Sequence, residues 1–379
     1  MSKVNRIAWM ASCSIAMLIA AGGLCSAQAP SDNPYRPVRG LADGGGTAIP
    51  GGEWAKLPGG REMGPPASVH VDVDGESVWA LIRCDETNPV PVARGGRFGI
   101  DCMKPDGTLK PIDTVYKFDP KGNVVKSFGA QMFIWPHGMH VDRDGNVWVT
   151  DGAGEDAVET AAKAGVKAGH IVRKFSPDGR VLMTLGEPGV PGSDEYHFRS
   201  PAGVVTAPNG DIFVADGHGS NNRIVKYSKE GKFIKAWGKT GYAPGEFRTA
   251  HCIAMDKRGR LFVCDRSNTR IQIFDQDGKF LAQWHQFGMP SGIAFSVNDE
   301  DLIYVFDSES DDVDNPGYEQ GIRIGDALRG WVRYFILDPG GNPNTTTGSG
   351  AEFGTVDKFG NVFAGEPRPR VLRKYVKVR

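Results

Sequence analysis

The sequence predicts an all-β fold built from repeated units. Of its 379 residues, 51 are glycine and 25 are proline. Both residue types are unfavourable inside helices, glycine by about 1 kcal/mol and proline by about 3 kcal/mol. Hydrophobic residues make up 40% of the chain and aromatic residues 9%, which is enough apolar surface for a packed core and excludes a disordered polymer. Since no Gly-x-y period is present, the composition indicates a globular protein rich in turns and strands.

Internal repeats support this fold class. Three segments share an apolar strand, a polar turn containing glycine, a second apolar strand and an aspartate; they span residues 138–151, 203–216 and 252–265. A second hairpin with an Asp-Gly or Glu-Gly turn follows each of them, over residues 171–185, 224–237 and 271–284. Two successive hairpins predict a four-stranded antiparallel unit.

Weaker copies raise the number of units to six. They begin near residues 69, 292 and 355. We call the residue eight positions before the turn glycine, or its equivalent, the anchor of a unit; the anchors are Ala67, His137, Ala202, His251, Ser291 and Glu352. Surplus residues between units are assigned to loops, as repeat proteins allow.

The sixth unit reaches the C terminus after only three strands. Residues 53–57 have the pattern of an outer strand and would supply the fourth, since closing the last unit with an N-terminal strand removes an open sheet edge. The sequence therefore predicts a six-bladed β-propeller with four-stranded antiparallel blades, formed as a single domain by residues 50–379. Residues 30–49, rich in proline and glycine, are predicted to be a flexible lead-in.

The first 29 residues have the pattern of a secretory signal peptide. Lys3 and Arg6 precede an apolar run over residues 7–24 and a small-x-small sequence that ends at Ala29. We predict cleavage after Ala29 and a secreted or periplasmic protein. An uncleaved anchor and, because of Cys25, a lipoprotein are the alternatives.

Four cysteines follow the predicted signal peptide. An even number in an oxidising compartment favours disulfides. Cys84 and Cys102 bracket an insertion rich in proline, glycine and arginine, and we predict that they pair. Cys252 and Cys264 lie on neighbouring segments around a turn, where a disulfide across the hairpin and two buried free thiols both fit the sequence.

The charge of the chain excludes several classes of partner. There are 44 basic and 45 acidic residues, for a formal net charge of -1, and there is no basic block. A surface for nucleic acid or for an anionic membrane is therefore not indicated. After the signal peptide, no segment is apolar enough to span a bilayer. We expect a monomer that binds a small-molecule or peptide substrate.

Three anchors carry side chains that can bind a metal. The first strand of each propeller blade lines the central channel, and alternate blades of six are about 120° apart. His137, His251 and Glu352 are the anchors of blades 2, 4 and 6. Two imidazoles and one carboxylate form a known catalytic zinc set with a position left for water or substrate. The competing interpretation is two hydrogen-bonded channel histidines and a solvated acid.

A second ring of residues follows the second strand of each blade, near the channel mouth. Arg83 and Arg266 lie there in blades 1 and 4. Their forked donors suit an anionic or carbonyl-bearing substrate, although salt bridges to neighbouring blades would also explain them. His218 lies in the corresponding loop of blade 3 and is the predicted proton acceptor; the alternative is a loop histidine bonded to the backbone.

Acidic segments raise the question of a structural calcium. Residues 72–75 and 142–145 resemble calcium loops, but they fall where the repeat requires a turn, and aspartate is common in turns. The acidic stretch 307–314 is interpreted as a solvated loop, with calcium binding as the alternative.

Four stretches resemble a known family: residues 135–151, 191–198, 216–224 and 265–272. The repeat unit resembles the NHL repeat, and the chain is similar to the lyase domain of peptidylglycine α-amidating enzymes. The resemblance implies a zinc ion held by three histidines, with arginines and a tyrosine around the substrate. It also implies cleavage of a peptidyl-α-hydroxyglycine into a peptide amide and glyoxylate.

The resemblance transfers to some residues of this chain and not to others. His137 and His251 match two of the zinc ligands, and Arg83 and Arg266 match the two arginines. Three positions depart from the family: the third histidine is Glu352, the tyrosine is His218, and the aspartate associated with a structural calcium is Phe353.

The leading hypothesis is an exported, metal-dependent lyase that acts on a carbinolamide or a related hydroxylated substrate. A divalent metal, zinc foremost, would polarise the substrate, His218 would take a proton, and Arg83 and Arg266 would hold a carboxylate. One alternative is a non-catalytic NHL propeller that binds a protein or small-molecule partner. A lactonase-like hydrolase is disfavoured, because such propellers use acid and asparagine ligands.

Overall fold

Each predicted repeat forms one antiparallel sheet of four strands, and the six sheets are the blades of a propeller. The computed structural model describes residues 35–37, 54–84, 101–298, 300–338, 350–368 and 370–378. The first strand of each blade contacts the first strand of the next blade, and the last blade contacts the first, so that the ring is closed. The predicted fold class, a six-bladed all-β propeller, is confirmed.

The strands follow one another regularly along the chain. Strand β1 (Tyr35–Pro37) belongs to the last blade. Blades 1 to 3 contain β2 (Pro66–Val71), β3 (Val78–Ile82), β4 (Val115–Phe118) and β5 (Val124–Phe128), then β6 (Pro136–Val141), β7 (Val147–Asp151), β8 (Ile171–Phe175) and β9 (Val181–Leu185), then β10 (Gly203–Thr206), β11 (Ile212–Asp216), β12 (Arg223–Tyr227) and β13 (Phe233–Trp237). Blades 4 to 6 contain β14 (Ala250–Met255), β15 (Leu261–Asp265), β16 (Arg270–Phe274) and β17 (Phe280–Trp284), then β18 (Pro290–Phe295), β19 (Leu302–Asp307), β20 (Gly321–Asp326) and β21 (Val332–Leu337), then β22 (Phe353–Val356), β23 (Val362–Glu366) and β24 (Val371–Lys377).

Helical segments are few among the described residues. Helix α1 (Glu155–Lys163) lies in the connection between β7 and β8, and two short 3-10 turns span Pro58–Gly60 and Arg266–Asn268. The helix buries Ala157, Val158 and Ala161 against a cluster that includes Trp135. It therefore packs behind the strand that carries the anchor of blade 2.

The fourth strand of the sixth blade is not the predicted one. Strand β1 pairs antiparallel with β24, whereas residues 53–57 were expected in that place. The backbone of Lys56 instead forms a bridge with Asn123 of blade 1. Trp54 packs against Phe118 of blade 1 and Phe363 of blade 6. The apolar pattern of this segment therefore reflects packing between two blades, which explains why it resembles a strand without forming one in this sheet.

The turns between strands have the chemistry that the repeat predicts. Gly145 has φ of 79° and Gly259 of 77°, a region that glycine reaches without strain. The carboxylate of Asp142 accepts hydrogen bonds from the amides of Asp144 and Asn146. Asp256 does the same for the corresponding turn of blade 4. The turn interpretation of residues 142–145 is thus confirmed.

Inner and outer strands differ in burial. Strands β7, β11 and β15 are buried along their whole length, while β5, β13 and β17 alternate between half-buried and exposed positions. The apolar core lies between adjacent blades; for example, Phe213 of blade 3 and Phe274 of blade 4 share one cluster. Burying such a side chain contributes about 2–3 kcal/mol.

Both pairs of cysteines are joined by disulfides. Cys84 bonds to Cys102, as predicted. Cys252 bonds to Cys264, which decides between the two alternatives that the sequence allowed. Cys252 and Cys264 are also partners in the register of β14 and β15, so the second disulfide crosses one strand pair.

The predicted signal peptide and most of the lead-in lie outside the described residues. No helix in the part of the chain that the structure describes has the length and apolar character needed to cross a membrane. Residues 35–37 form β1, and the rest of residues 1–49 is not described.

Candidate functional site

The three metal-capable anchors meet in the central channel. His137 in β6 and His251 in β14 are fully buried, and Glu352, just before β22, is 8% exposed. Glu352 Oε1 lies 3.4 Å from His137 Nε2 and 3.7 Å from His251 Nε2. The remaining anchors have small side chains and are also buried: Ala67, Ala202 and Ser291. The register of the repeat thus correctly predicted that these three side chains converge.

Each channel histidine is fixed by the anchor of the following blade. His137 Nδ1 donates to the carbonyl of Ala202 at 2.8 Å, and His251 Nδ1 donates to the carbonyl of Ser291 at 2.7 Å. Since a carbonyl only accepts, the proton of each neutral ring is on Nδ1 and the lone pair is on Nε2. Both Nε2 atoms are buried and have no hydrogen-bond partner among the described residues.

Two imidazole lone pairs and a carboxylate oxygen therefore face one another. Burial, with a further contribution from Arg266, lowers the pKa of His251 to about 3, and burial also lowers the pKa of His137. Burial opposes ionisation of Glu352, but the positive charge of Arg83 counteracts it, and the pKa of Glu352 is held well below its usual range. The histidines are neutral and the glutamate is ionised at neutral pH, which is the protonation state that metal binding requires.

Arg83 is directed at the carboxylate. Its Nη2 lies 3.6 Å from Glu352 Oε2, and its Nε donates to the carbonyl of Pro136 at 3.1 Å. The guanidinium stacks over the Trp135 ring at 4.4 Å, and the residue is 5% exposed. Arg83 is therefore a buried neighbour of Glu352, and the predicted contact with a substrate would require an approach from the channel.

His218 lies beside the channel histidines. Its ring centroid is 4.8 Å from that of His137 and 5.5 Å from that of His251. One ring nitrogen of each of the three histidines lies within 4.8 Å of the others. Burial, with additional repulsion from His137, His251 and Arg266, holds the pKa of His218 well below the usual range. The structure thus brings together all four predicted residues His137, His218, His251 and Glu352.

Charged side chains of blades 4 and 5 meet at the channel mouth. Arg266 Nη1 lies 3.7 Å from Glu309 Oε1. The Glu309 side chain is 46% exposed and that of Arg266 is 14% exposed. Arg266 was predicted from its ring position, but Glu309 was not. Extending the same ring to blade 5 would have identified it, because Glu309 follows the end of β19 as His218 follows the end of β11.

Aromatic rings form the walls of the site. Phe353 stacks on His251 with centroids 5.3 Å apart and meets His137 edge-on at 5.5 Å. Trp135 contacts the rings of His137 and His218 at 4.9 and 5.0 Å. Water is therefore partly excluded by apolar surfaces, and Phe353 puts a phenyl ring where the resemblance places a calcium-associated aspartate.

The acidic stretch 307–314 is used for local structure. Asp307 accepts hydrogen bonds from Met289, Ser310 and Arg323. Asp311 accepts from the amides of Val313 and Asp314. These bonds fit the interpretation as a loop, and a structural calcium stays a prediction.

One cavity lies away from the channel. It has a volume of about 730 Å³, and its lining includes Leu185, Tyr196, His197 and Phe233 at the outer strands of blades 2 and 3. None of the predicted site residues lines it. The charge and lone-pair arrangement of the channel, and not cavity size, therefore identifies the candidate site.

Comparisons with known proteins agree with this architecture. A family model described as a 6-bladed beta-propeller matches residues 193–311. Peptidyl-glycine alpha-amidating monooxygenase B of Xenopus laevis is 39% identical over 160 residues, which are 40% of this chain and 17% of that protein. A probable peptidyl-alpha-hydroxyglycine alpha-amidating lyase of Caenorhabditis elegans is 35% identical over 135 residues, 35% of this chain and 34% of that protein.

Two further comparisons concern the repeat and the fold. NHL repeat-containing protein 3 of Homo sapiens is 34% identical over 138 residues, 35% of this chain and 36% of that protein. A solved structure of a protein of unknown function from Bacteroides thetaiotaomicron superposes with a TM-score of 0.51 at 14% identity, over 86% of this chain and 72% of that one, which is a likeness of fold. The matches to the three named relatives span between about a sixth and about a third of their lengths. The protein is a six-bladed β-propeller with homologues named as amidating lyases and as an NHL repeat protein, which confirms the resemblance inferred from its sequence.

Proposed function

We propose that this protein is a metal-dependent carbon–nitrogen lyase that cleaves N-acyl-α-hydroxyglycines or related carbinolamides. One observation carries the proposal: His137 Nε2 and His251 Nε2, which are buried and have no hydrogen-bond partner among the described residues, lie 3.4 and 3.7 Å from the carboxylate oxygen Oε1 of Glu352. Such an arrangement is repulsive unless a cation lies among the three atoms. The names of the homologous lyases support the reaction class.

The donor set fits a divalent metal, zinc foremost. Two donors bound at about 2.0–2.1 Å in a tetrahedral site lie about 3.3–3.4 Å apart, close to the 3.4 and 3.7 Å that separate Glu352 Oε1 from His137 and His251. The bonds from Nδ1 to main-chain carbonyls are the outer contacts that orient histidine ligands. A metal bound there would polarise an oxygen of the substrate.

The chemistry needs no oxidant. In the proposed reaction, the hydroxyl proton of a carbinolamide leaves, its oxygen becomes the carbonyl of glyoxylate, the carbon–nitrogen bond breaks, and the amide nitrogen gains a proton. Glu309 at the channel mouth is the group to which we assign the transfer of this proton from oxygen to nitrogen. The role of proton acceptor was predicted from the sequence for His218, which lies against the rings of the channel histidines.

The two arginines have separate tasks in this proposal. Arg266 presents its guanidinium at the mouth, where a substrate carboxylate can replace Glu309 as its partner. Arg83 holds Glu352 ionised and oriented, since it faces that carboxylate and is anchored on Pro136. A role of Arg83 in binding the substrate carboxylate, predicted from the sequence, would add to this.

Metal analysis combined with a product assay tests the proposal. The purified protein should contain about one divalent ion per chain and release glyoxylate from an N-acyl-α-hydroxyglycine. The double variant His137→Ala/His251→Ala should lose both. A wild-type protein that binds no metal overturns the proposal. Metal binding without glyoxylate release overturns the substrate class and favours the non-catalytic propeller.

Export is part of the proposal. Two disulfides are compatible with an oxidising compartment. Expression in a bacterial host followed by N-terminal sequencing of the exported protein should give Pro30 as the first residue, in a species that gel filtration shows to be monomeric. Retention of Met1 in a membrane fraction contradicts cleavage.

A further inference from the structure

We infer that His218 is a ligand of the metal, so that the ion is held by three imidazoles from blades 2, 3 and 4 and by the carboxylate of Glu352 from blade 6. The inference rests on the proposed function only in placing a metal at the channel anchors. It changes the task of His218 from accepting a proton to binding the ion.

Distances place His218 in the same cluster as the two anchors. The ring centroid of His137 lies 4.8 Å from that of His218 and 4.7 Å from that of His251. His218 is therefore as close to one anchor histidine as the two anchors are to each other. Ligand nitrogens of the three residues lie within 4.8 Å of one another, and binding to one ion requires a side-chain rotation that shortens the separation to the value of about 3.3–3.4 Å typical of two tetrahedral ligands.

The surroundings of the His218 ring suit a ligand better than a base. None of the described residues forms a hydrogen bond with this imidazole, whereas a general base is normally held by a third group that orients it. Its neighbours are the rings of Trp135, His137 and His251. A half-buried imidazole among other neutral imidazoles gains a partner for its lone pair when a cation is bound.

The backbone fixes the position of His218. Gly217 passes so close to the start of β14 that a Cβ there would lie 2.5 Å from the Cβ of Ala250, the neighbour of His251. A Cβ on Gly219 would lie 2.4 Å from the carbonyl oxygen of Arg199. The amide of His218 donates to the carbonyl of Ser200 at 3.2 Å. The two glycines thus allow a loop of blade 3 to lie against the strand that carries a ligand of blade 4.

Cobalt binding tests the inference without an activity assay. Metal-free protein is titrated with Co²⁺ alone, and the visible absorption of the bound ion reports both affinity and coordination. His218→Ala should bind Co²⁺ at least about tenfold more weakly than the wild type, with an altered spectrum. His218→Gly with added imidazole should regain the wild-type spectrum, since a free imidazole can occupy the vacated position. His197→Ala, which removes a loop histidine outside the channel, is the matched control and should bind as the wild type does.

The possible failures are distinguishable. If the wild type binds no Co²⁺, the proposed function fails and the inference fails with it. If the wild type binds Co²⁺ and His218→Ala has the same affinity and spectrum, the inference alone is overturned and His218 is free to accept a proton. Circular dichroism of each metal-free variant checks that the propeller is folded, so a loss of binding is attributable to the ligand.

Discussion

Two rings of ionisable side chains surround the same channel but differ in how their polar atoms are satisfied. At the ends of the second strands, an acid is paired with an arginine of the third strand in blades 3 to 6: Asp216–Arg223, Asp265–Arg270, Asp307–Arg323 and Glu366–Arg373. At the channel anchors, the Nε2 atoms of His137 and His251 lack partners. The acids at the ends of the second strands, which we call the structural ring, are bonded within the protein. The anchors, which we call the channel ring, differ from blade to blade and keep nitrogen atoms available to bind a ligand.

In the second blade, the acid at the end of the second strand is bonded to backbone amides instead of to an arginine. Asp151 accepts hydrogen bonds from the amides of Ile134, Trp135 and Gly169, each at 2.9 Å. In the first blade the second strand ends at Ile82, and the following residue, Arg83, turns to Glu352. The blade that departs from the repeated pattern thus contributes to the site. Polar residues that repeat with the blades are structural, and those that depart from the repeat identify the candidate site.

The largest expected effect comes from breaking the structural ring. Asp265 accepts hydrogen bonds from Arg248, Asn268 and Arg270, and Arg270 is 5% exposed. Asp265→Ala leaves this guanidinium buried without its carboxylate, so we expect the free energy of unfolding to fall by about 3–5 kcal/mol. Urea unfolding measures the change. Asp277→Ala, which removes an exposed turn acid, should change it by less than about 0.5 kcal/mol; equal losses would contradict the distinction.

A disulfide connects the two rings. Cys252 follows His251 in β14, and Cys264 precedes Asp265 in β15. The double variant Cys252→Ala/Cys264→Ala should lower the free energy of unfolding by about 2–3 kcal/mol, since the unfolded chain loses a cross-link. We expect Co²⁺ affinity to be retained, because the strand pair is also held by its backbone hydrogen bonds. Loss of metal binding in a folded variant would show that the site depends on this cross-link.

A change in the channel ring is expected to weaken metal binding. Glu352→Gln keeps the size of the side chain but removes the charge that faces both histidines. Metal affinity should fall by about 10–100-fold, measured by competition with a chelator, and circular dichroism checks that the metal-free variant is folded. Glu309→Gln is the matched variant outside the ligand set. It should retain metal affinity and lose glyoxylate release; weaker metal binding by Glu309→Gln would contradict the roles assigned to the two acids.

The sequence predicted the fold and the channel ring because both follow from one register. Placing His137, His251 and Glu352 at equivalent positions required only the spacing to the turn glycine, and in the structure Glu352 Oε1 lies 3.4 and 3.7 Å from the two imidazoles. The prediction that residues 53–57 form the closing strand was wrong, because the alternation of apolar residues shows that this segment is packed but does not show which sheet it joins. Glu309 was missed because it lies in an acidic run that looks solvated. His218 was predicted at the channel mouth from its position after β11, but its contact with the anchor rings depends on the path of the loop, which only the structure shows.

The smallest expected effect concerns Glu366 and Arg373, the pair of the structural ring whose hydrogen bonding is least complete. Glu366 Oε1 accepts from Arg373 Nε at 2.6 Å, but Oε2 has no partner among the described residues. Burial raises the pKa of Glu366 to about 8, against the opposing influence of Arg373. Between the ordinary value of 4.5 and about 8, the folded protein holds a proton that the unfolded chain releases. Stability from this group is therefore present at low pH and is lost as the pH rises through that window.

Between pH 7 and 8, the difference in the pKa of Glu366 between the folded and the unfolded protein should lower the free energy of unfolding by about 1 kcal/mol. Urea unfolding at closely spaced pH values measures the change. Glu366→Gln cannot release the proton, so its profile should lack this slope even if the variant is less stable overall. Comparing the slopes separates the titration of Glu366 from the loss of its ion pair with Arg373, because the lost carboxylate charge shifts the free energy of unfolding at every pH. Identical slopes in the two proteins would show that Glu366 is already ionised at neutral pH, and that its pair with Arg373 is as fully satisfied as those of blades 3 to 5.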